Sequence, residues 1–386
     1  MNLDMGIAVP ARGDGPLRWT ATDRSGGFFT LGTREDLPDS GYWRGEARLF
    51  IDAWLVDSGG RRLGRDSALE VRVEAEGLIL RHAAPGRSAG GVGLGIHPLL
   101  GRAAIGFSLP DGLPKGWSLA IALPLVPVIR LDDAGHAGEG QSLAGCPAFR
   151  LGPEALGQWA SLGGTGTWAA GTTVEVHCDA EGKTSQRTLI VMNKGEQAPR
   201  LSVCLAFGKD AGSAAGLARD LVDSAALEAH RAEVERLLSG PSIRTADGDF
   251  DRALAWASYS GRLLVTREGG LGIWAGLPWF RDNWGRDTFI ALSGILLVRG
   301  LWDEAREVLS GFAALQDLDP SSPTFGRIPN RFRGPDDVIY NTVDGSLWFV
   351  RALLEYGEAS GDLDFVLGLR NAVYGILDAE LGRCDG

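Results

Sequence analysis

The first half of the chain alternates apolar and polar residues over short stretches. Alternation of this kind is typical of strands that bury one face. Segments rich in glycine, proline and aspartate separate the stretches, and they are typical of turns. Because no helical pattern intervenes, residues 1–210 are predicted to form an antiparallel β-sandwich. The predicted strands cover residues 47–57, 69–84, 103–110, 118–132, 172–180, 186–193 and 200–209.

Residues 211–240 have a different composition, rich in alanine, leucine and glutamate. Apolar residues recur at helical spacing from Leu217 to Leu237, and Gly240 followed by Pro241 ends the pattern. We therefore predict a helix or a helical pair that links two domains.

The last part of the chain, residues 241–386, follows a helical period. The second of its helices is apolar nearly all round, so we expect it to be buried on every side. Five helices are predicted, with apolar positions spanning 250–264, 288–298, 302–315, 343–354 and 365–376, the last beginning at Asp362 and ending near Gly382.

The connections between these helices alternate in length. One connection is almost absent, at residues 299–301, and the next is long, at residues 317–340. Short turns on one side and long loops on the other are typical of a ring of helical hairpins with its site among the long loops. Such a ring must close to bury its inner wall, so we expect this chain to be a fragment. The predicted fold class is multidomain β plus α, divided at 1–210, 211–240 and 241–386.

Composition limits the partners and the chemistry. The formal charge is 38 − 49 = −11, which disfavours nucleic acid and anionic membrane surfaces. Four cysteines without a CxxC spacing indicate free core thiols instead of a disulfide framework. The chain shows neither a secretory signal pattern nor an apolar run of membrane-spanning length, so the cytoplasm is the expected location.

The five histidines all precede residue 240. The helical part therefore lacks the residues for a serine–histidine triad or a histidine metal site, and its chemistry would rest on carboxylates. No phosphate loop, dinucleotide fingerprint, zinc spacing or calcium loop is present, and glycine-rich residues 91–95 open no helix. We predict no metal and no cofactor.

Polar and aromatic residues crowd where the second predicted helix begins. Arg286 and Asp287 follow Gly285 on a tight turn, close to several tryptophans. Adjacent guanidinium and carboxylate groups can bind vicinal hydroxyls, while indoles can cover the apolar faces of a sugar ring. The alternative is structural: Asp287 caps the helix and Arg286 is a solvated charge.

Two further joints between helices carry similar residues. Asn330 and Arg331 lie in the long loop, where the alternative is an ordinary turn with an exposed arginine. At the third joint, Asn341 or Thr342 could instead be the N-cap of a helix, with Asp344 in its first turn.

Three segments carry a family resemblance: WGRDTFIAL at 284–292, GRIPN at 326–330 and YNTVDGSLWF at 340–349. Together they resemble the catalytic domain of glycogen debranching enzymes, the amylo-α-1,6-glucosidase family, over about residues 241–386. The first segment is also similar to the tryptophan–x–arginine–aspartate turn of glucoamylases. The resemblance implies an (α/α)6 toroid, the six-hairpin glycosidase fold, of which this chain holds the N-terminal part.

The resemblance implies hydrolysis of α-1,6-glucosidic branch points in glycogen or another α-glucan, without a cofactor. The mechanism would be inverting, with an acid and a base roughly 6.5–9.5 Å apart. Both carboxylates are expected beyond Gly386, so no catalytic residue is assigned. Arg286 and Asp287 would grip the terminal glucose, and Trp279 and Trp284 would wall its pocket. The same face would be lined by Asn330, Arg331, Asn341 and Asp344.

Three alternatives stay open from the sequence. The first is another toroid glycosidase, of the trehalase or glucoamylase type. The second is a non-catalytic glycan-binding module. The third is an interaction protein without enzymatic activity, whose tryptophans only fill a core. The oligomeric state is not indicated.

Overall fold

The computed structural model describes residues 6–9, 18–32, 40–83, 91–125, 142–143, 146, 148–151, 158–164, 167–176, 186–194, 201–239 and 243–384. The chain divides into two compact units, Met1–Arg236 and Leu237–Gly386. The first combines antiparallel sheets with helices, and the second combines helices with a small sheet. The prediction of a mixed β and α chain is confirmed.

The described part of the first unit forms three antiparallel sheets. Their orders are β1-β8-β9-β10-β11-β18-β15-β14, β13-β16-β17-β12-β6-β7 and β2-β3-β4-β5. The strands are β1 Ile7–Val9, β2 Arg18–Thr22, β3 Gly27–Gly32, β4 Gly41–Arg44, β5 Ala47–Phe50, β6 Asp52–Asp57, β7 Arg62–Leu63, β8 Glu70–Glu74, β9 Gly77–Ala83, β10 Gly91–Pro98, β11 Ala104–Leu109, β12 Trp117–Leu125, β13 Ser142–Leu143, β14 Ala148–Arg150, β15 Trp159–Gly164, β16 Thr167–Val176, β17 Gln186–Lys194 and β18 Leu201–Gly208.

The strand predictions succeed where alternation is clear. Residues 103–110, 186–193 and 200–209 correspond to β11, β17 and β18. Residues 47–57 and 69–84 each form two strands instead of one. Residues 126–132 and 177–180, which were predicted to extend two strands, lie outside the described residues.

Strand β10 was missed because its alternate glycines hide the apolar pattern. A Cβ atom at Gly95 would lie 2.3 Å from Ser108 Oγ and 2.5 Å from His97 Nε2. Close packing therefore explains the glycine, and the segment has no phosphate-loop geometry because it is a strand in the middle of a sheet.

Side chains from all three sheets share one hydrophobic core, with Phe29, Leu119 and Phe107 each buried in it. The helix α1, Ala211–Asp223, packs Ala218 and Leu221 against Cys204 of β18. Asp210 caps this helix by accepting a hydrogen bond from the Ser213 N–H at 2.7 Å. A second helix, α2, spans Ala226–Leu238, so residues 211–240 contain a helical pair.

The second unit contains six further helices and five short strands in its described residues. The strands form one antiparallel sheet in the order β19-β20-β21-β22-β23. The sequence did not predict this sheet, because its strands are only two to five residues long. The elements are α3 Gly248–Leu263, β19 Val265–Thr266, β20 Gly272–Gly276, β21 Phe280–Trp284, α4 Gly285–Ile295, α5 Trp302–Ala313, β22 Arg331–Gly334, β23 Asp337–Ile339, α6 Gly345–Ser360, α7 Leu363–Gly368 and α8 Arg370–Cys384.

Two helix predictions need correction. The second predicted helix is not buried on every side, because Ile290 is 50% exposed and Val298 is 65% exposed. The fifth is two helices, α7 and α8, which meet at Leu369. The short connection at residues 299–301 is as predicted, and Gly300 adopts a left-handed φ of 67° there.

An aromatic cluster in the second unit sets α4 beside its neighbours. The ring centroid of Phe289 lies 4.7 Å from that of Phe312 on α5 and 5.5 Å from that of Phe349 on α6. Phe332 of β22 packs against Phe312 at 4.8 Å. All four rings are buried, so the packing fixes where α4 and α6 begin.

Candidate functional site

The three polar joints that the sequence singled out meet at the N-terminal ends of two helices. Helix α4 begins at Gly285, directly after β21, and α6 begins at Gly345. An ion pair and a hydrogen-bonded loop connect these two helix starts. We call this group of residues the helix-start cluster; it comprises Trp284, Gly285, Arg286, Asp287, Asn330, Asn341, Asp344 and Ser346.

Arg286 and Asp344 form the ion pair of the helix-start cluster. The Arg286 Nη2 atom lies 2.9 Å from the Asp344 Oδ1 atom, and each side chain is 46% exposed. The pair therefore faces solvent, where its free nitrogen and oxygen atoms can meet a ligand.

Asn330 connects two of the joints and is buried, at 6% exposure. Its backbone oxygen accepts a hydrogen bond from the Gly285 N–H at 2.7 Å. Its side-chain Nδ2 donates to the Oδ1 of Asn341 at 2.9 Å. One residue thus contacts both joints. The alternative of an ordinary turn with an exposed arginine is wrong, because Arg331 is only 7% exposed.

The carboxylates of Asp287 and Asp344 do not cap the helices that carry them. The N-cap position of α4 is Trp284, so Asp287 lies in the first turn. Asp344 itself is the N-cap residue of α6, yet its side chain makes no capping bond. The structural alternatives, with Asp287 or Asn341 or Thr342 as N-cap, are wrong. Both carboxylates still lie where the helix dipole favours negative charge.

Asp287 is the more available of the two carboxylates. It is exposed, and its side chain has no hydrogen bond or ion pair to the part of the chain that the structure describes. Its exposed carboxylate offers acceptors, and the guanidinium of the adjacent residue, Arg286, offers donors. This arrangement suits the adjacent hydroxyls of a sugar, each of which donates and accepts.

The tryptophans near the helix-start cluster have three different environments. Trp274 is core, at 2% exposure. Trp284 is half-buried, and its Nε1 atom is buried without a hydrogen-bond partner among the described residues. Trp279 is 74% exposed beside Phe280, which is 58% exposed, at the turn of the β20–β21 hairpin. Trp279 therefore does not wall an enclosed pocket in this structure.

Arg331 belongs to a different group of charges from Arg286. It is buried at 7% exposure, and its Nη2 donates to Asp337 Oδ1 at 2.5 Å. Its Nη1 lies 3.9 Å from Asp282, which also accepts two hydrogen bonds from Arg333 at 2.6 and 3.0 Å. The hydrogen bond from Arg331 holds the pKa of Asp337 below its ordinary value. The structure thus places Arg331 in an ion network of the sheet.

The long loop that leads to Asn330 is held by its own side chains. Asp317 accepts hydrogen bonds from Ser322 Oγ at 2.5 Å and Thr324 Oγ1 at 2.7 Å. Burial acts to raise the pKa of Asp317, but these hydrogen bonds outweigh it and lower the pKa. The Tyr340 hydroxyl donates to the Leu315 oxygen at 2.6 Å. These hydrogen bonds therefore hold the loop in one conformation.

Sequence reasoning missed Ser346. This residue is 1% exposed in the first turn of α6, and its Oγ accepts a hydrogen bond from the Ile328 N–H at 2.9 Å. The sequence did offer one signal for it, because a serine near a helix start tends to hydrogen-bond nearby backbone groups.

The described residues lack the features of two other kinds of site. Among them, no group of three or more His, Cys, Asp and Glu side chains is placed to hold a metal ion. Within the same residues, no helix has both the length and the apolar character needed to cross a membrane.

Comparisons with known proteins agree with the likeness seen in the sequence. Residues 257–383 match the family described as amylo-alpha-1,6-glucosidase, and this range includes the whole helix-start cluster. A glycogen debranching enzyme of Saccharomyces cerevisiae is 37% identical over 86 residues. That alignment covers 21% of this chain and 5% of the yeast protein. The resemblance to glycogen debranching enzymes is therefore confirmed.

Among solved structures, a bacterial glucoamylase complexed with acarbose has a TM-score of 0.51 at 12% identity. The likeness covers 88% of this chain and 55% of the glucoamylase, so the chain spans about half of that protein. At this identity the finding concerns the fold alone. A glycosyl hydrolase of family 92 has a TM-score of only 0.32 at 11% identity, covering 97% of this chain and 61% of that one, and it supports no argument.

Proposed function

We propose that this chain is part of a glycoside hydrolase that removes glucose from α-1,6 branch points of glycogen or another α-glucan. The family likeness of residues 257–383 supports a glycoside hydrolase of the debranching type. The chain contributes the groups that bind the terminal glucose of the substrate.

The observation that carries the proposal is the ion pair between Arg286 and Asp344, together with the exposed and unpaired carboxylate of Asp287, the residue after Arg286. Neither the Asp287 nor the Asp344 carboxylate makes a capping hydrogen bond to its helix. A neutral sugar gains affinity from such groups because each buried hydroxyl then finds a charged partner, and charge-assisted hydrogen bonds are stronger than neutral ones. A ligand that lacks those hydroxyls would leave the groups unpaired.

The indole groups supply the second part of the recognition. The Nε1–H of Trp284 is buried and has no partner among the described residues, and in this proposal it donates to a sugar hydroxyl that enters the site. Trp279 is exposed, and its ring offers an apolar face on which the glucan chain stacks. In this arrangement Trp279 contacts the substrate outside the helix-start cluster.

For the reaction we propose inversion by two carboxylates, one as acid and one as base. A general acid requires surroundings that keep its carboxyl neutral, as an apolar pocket does. Asp287 is exposed and Asp344 is engaged by Arg286, so we assign neither role to them. We propose that the acid and the base lie outside this chain in the intact enzyme.

For the architecture we propose a β-sandwich over residues 1–210, a helical linker over 211–240 and the opening helices of an (α/α)6 toroid over 241–386. The shared core of the three sheets supports the sandwich, and the fold likeness to a glucoamylase supports the toroid. No cofactor takes part in the proposed reaction, and a cytoplasmic location fits an intracellular glucan.

Affinity electrophoresis of the 386-residue chain in gels that contain glycogen tests the proposal. The wild type should be retarded by glycogen, and Arg286→Ala should abolish most of the retardation. The matched control is Arg267→Ala, which removes an exposed arginine that pairs with Glu307 in the same unit. Equal retardation of wild type and Arg286→Ala would contradict the proposal.

Competition in the same gels separates the alternative substrates. Isomaltose should release the chain from glycogen more effectively than trehalose or maltose does. Release by trehalose alone would instead favour an enzyme of the trehalase type.

A further inference from the structure

We propose that Asn330 and Ser346 are positioning residues. They fix the positions of the helix starts that carry Arg286 and Asp344, and they do not touch the sugar. This inference rests on the proposed function. It concerns how the glucose-binding groups are kept in place, and it changes the role that the sequence predicted for Asn330.

The Arg286–Asp344 ion pair cannot fix its own geometry. Both partners are 46% exposed, and exposed ion pairs contribute little because water and salt screen them. Binding, in contrast, requires the charged groups to stay in one orientation. The orientation of the Arg286 and Asp344 side chains must therefore be set by buried residues at the two helix starts.

The segment Ile328–Asn330 supplies that structure, since it bonds to both helix starts. Its Ile328 N–H donates to Ser346 Oγ at 2.9 Å, in the first turn of α6. Its Asn330 oxygen accepts from the Gly285 N–H at 2.7 Å, at the first residue of α4. The two helices that carry Asp344 and Arg286 are thus joined through one short segment.

The contact with α4 is close. A Cβ atom added at Gly285 would lie 2.5 Å from the Pro329 oxygen, so only glycine allows the helix start to rest on the segment. On its other side the segment is fixed by the Asn330 N–H, which donates to the Ile339 oxygen of β23 at 2.7 Å. The segment therefore cannot shift without breaking a strand contact.

Asn330 also sets the orientation of Asn341. The Asn341 Oδ1 accepts from Asn330 Nδ2, so the NH2 group of Asn341 is the part left to donate. Asn341 is exposed, and we infer that this group faces the sugar. The segment therefore reaches three ligand-binding side chains by separate contacts. The Asn330 backbone oxygen holds the start of α4, which carries Arg286, and the Asn330 amide holds Asn341. The Ile328 N–H holds Ser346 at the start of α6, next to Asp344.

Burial separates positioning from contact. Asn330 is 6% exposed and Ser346 is 1% exposed, and the Asn330 Nδ2 and Ser346 Oγ atoms are both hydrogen-bonded within the protein. Buried and satisfied polar groups of this kind specify one local structure, because leaving a partner unpaired is costly.

The test uses the full 386-residue chain with arginine side chains labelled with ¹⁵N. It measures three properties: the Nε resonance of Arg286, the affinity for glycogen and the melting temperature. The variants are Asn330→Ala and Ser346→Ala. The control is Tyr356→Phe, which removes a hydrogen bond to Asp362 at the opposite end of α6.

Ser346→Ala removes the acceptor of the Ile328 N–H, and Asn330→Ala removes the bond to Asn341 and leaves a cavity beside the backbone that contacts Gly285. We expect each variant to lose about tenfold in glycogen affinity and to shift the Arg286 resonance. The control should lower the melting temperature and change neither of the other properties. If Asn330→Ala fails to fold, Ser346→Ala decides, because it deletes only the acceptor for one N–H.

An unchanged Arg286 resonance with unchanged affinity in a folded Asn330→Ala variant overturns the proposal. If the wild-type chain does not bind glycogen at all, the proposed function fails for this chain. The Arg286 resonance then still decides whether Asn330 and Ser346 position the guanidinium, so the two failures are distinguishable.

Discussion

The guanidinium of Arg286 and the carboxylate of Asp344 meet at 2.9 Å where two helices begin. The two residues are far apart in sequence, and the aromatic packing of Phe289 against Phe349 brings their helices together. The pair shows how an apolar core positions polar chemistry: the rings set the distance between the helices, and the helix starts present the charges.

Replacing Asp344 with Asn removes the charge partner of Arg286 and keeps the shape of the side chain at position 344. We expect the affinity for glycogen to fall several-fold, while the free energy of unfolding changes by about 1 kcal/mol or less because the pair is exposed. Glycogen affinity and chemical denaturation provide the two measurements.

The control for this variant is Glu355→Gln, which neutralises another exposed ion pair on the same helix, with Arg351. It should leave glycogen affinity unchanged. Equal losses in the two variants would show that Asp344 acts through general charge and not through Arg286.

Replacing Trp279 with Ala tests the role of the exposed indole. Because 74% of this residue is exposed, its removal should change stability by about 0.5 kcal/mol or less. Glycogen affinity should nevertheless fall, since the glucan would lose a stacking surface. Leu363→Ala, at a similarly exposed apolar residue, should change neither property.

Trp274→Ala provides the opposite case. This indole is 2% exposed, and its loss should destabilise the unit by about 3–5 kcal/mol through an unfilled cavity. If Trp279→Ala proved as destabilising as Trp274→Ala, the exposed indole would be structural.

The contrast between these two tryptophans shows what the sequence could predict. The helical period predicted α3, α5 and α6 in the right places. The predicted apolar face of α6 is wrong, however, because Val343 is 63% exposed and Leu354 is 56% exposed, while Phe349 and Leu353 are buried. The turn at Arg286 was found because its residue types do not suit a core. The sequence could not tell which of Trp274, Trp279 and Trp284 is buried, since that depends on the sheet.

The sheet itself depends on contacts between distant parts of the chain. Trp284 of β21 pairs with Arg331 of β22, and nothing near either residue in the sequence signals this pairing. From the sequence, Arg331 was therefore predicted to bind the ligand. In the structure its guanidinium lies in ion pairs with Asp282 and Asp337. The role of Ser346 was hidden for the same reason, because it depends on a bond to Ile328 in another loop.

Arg331→Met tests that assignment. The substitution keeps the apolar part of the side chain and leaves the 12%-exposed carboxylate of Asp282 with one arginine fewer. We expect a loss of about 1–3 kcal/mol in stability, with glycogen affinity retained at temperatures where the variant is folded. A loss of affinity without a loss of stability would return Arg331 to the ligand-binding residues.

The first unit should be sensitive to acid through His97. Burial, with repulsion from His230, lowers the pKa of His97 from 6.5 to about 3. The unfolded state therefore binds a proton between these pH values and the folded state does not, so stability falls as the pH drops below about 6.5. At pH 5 the free energy of unfolding should be about 2 kcal/mol lower than at pH 7.

Chemical denaturation at pH 7 and pH 5 measures this effect. His97→Gln should flatten the pH dependence, because the group that binds the proton is gone. The same slope in the variant would show that other groups cause the acid sensitivity, for example His230, whose pKa burial also lowers.

The most direct measurement is a crystal structure of this chain with isomaltose bound. The account predicts that the terminal glucose lies within hydrogen-bonding distance of Arg286 and Asp287, with Asn330 and Ser346 beneath it and out of contact. A glucose unit bound elsewhere, with the Arg286–Asp344 pair facing only solvent, would contradict it.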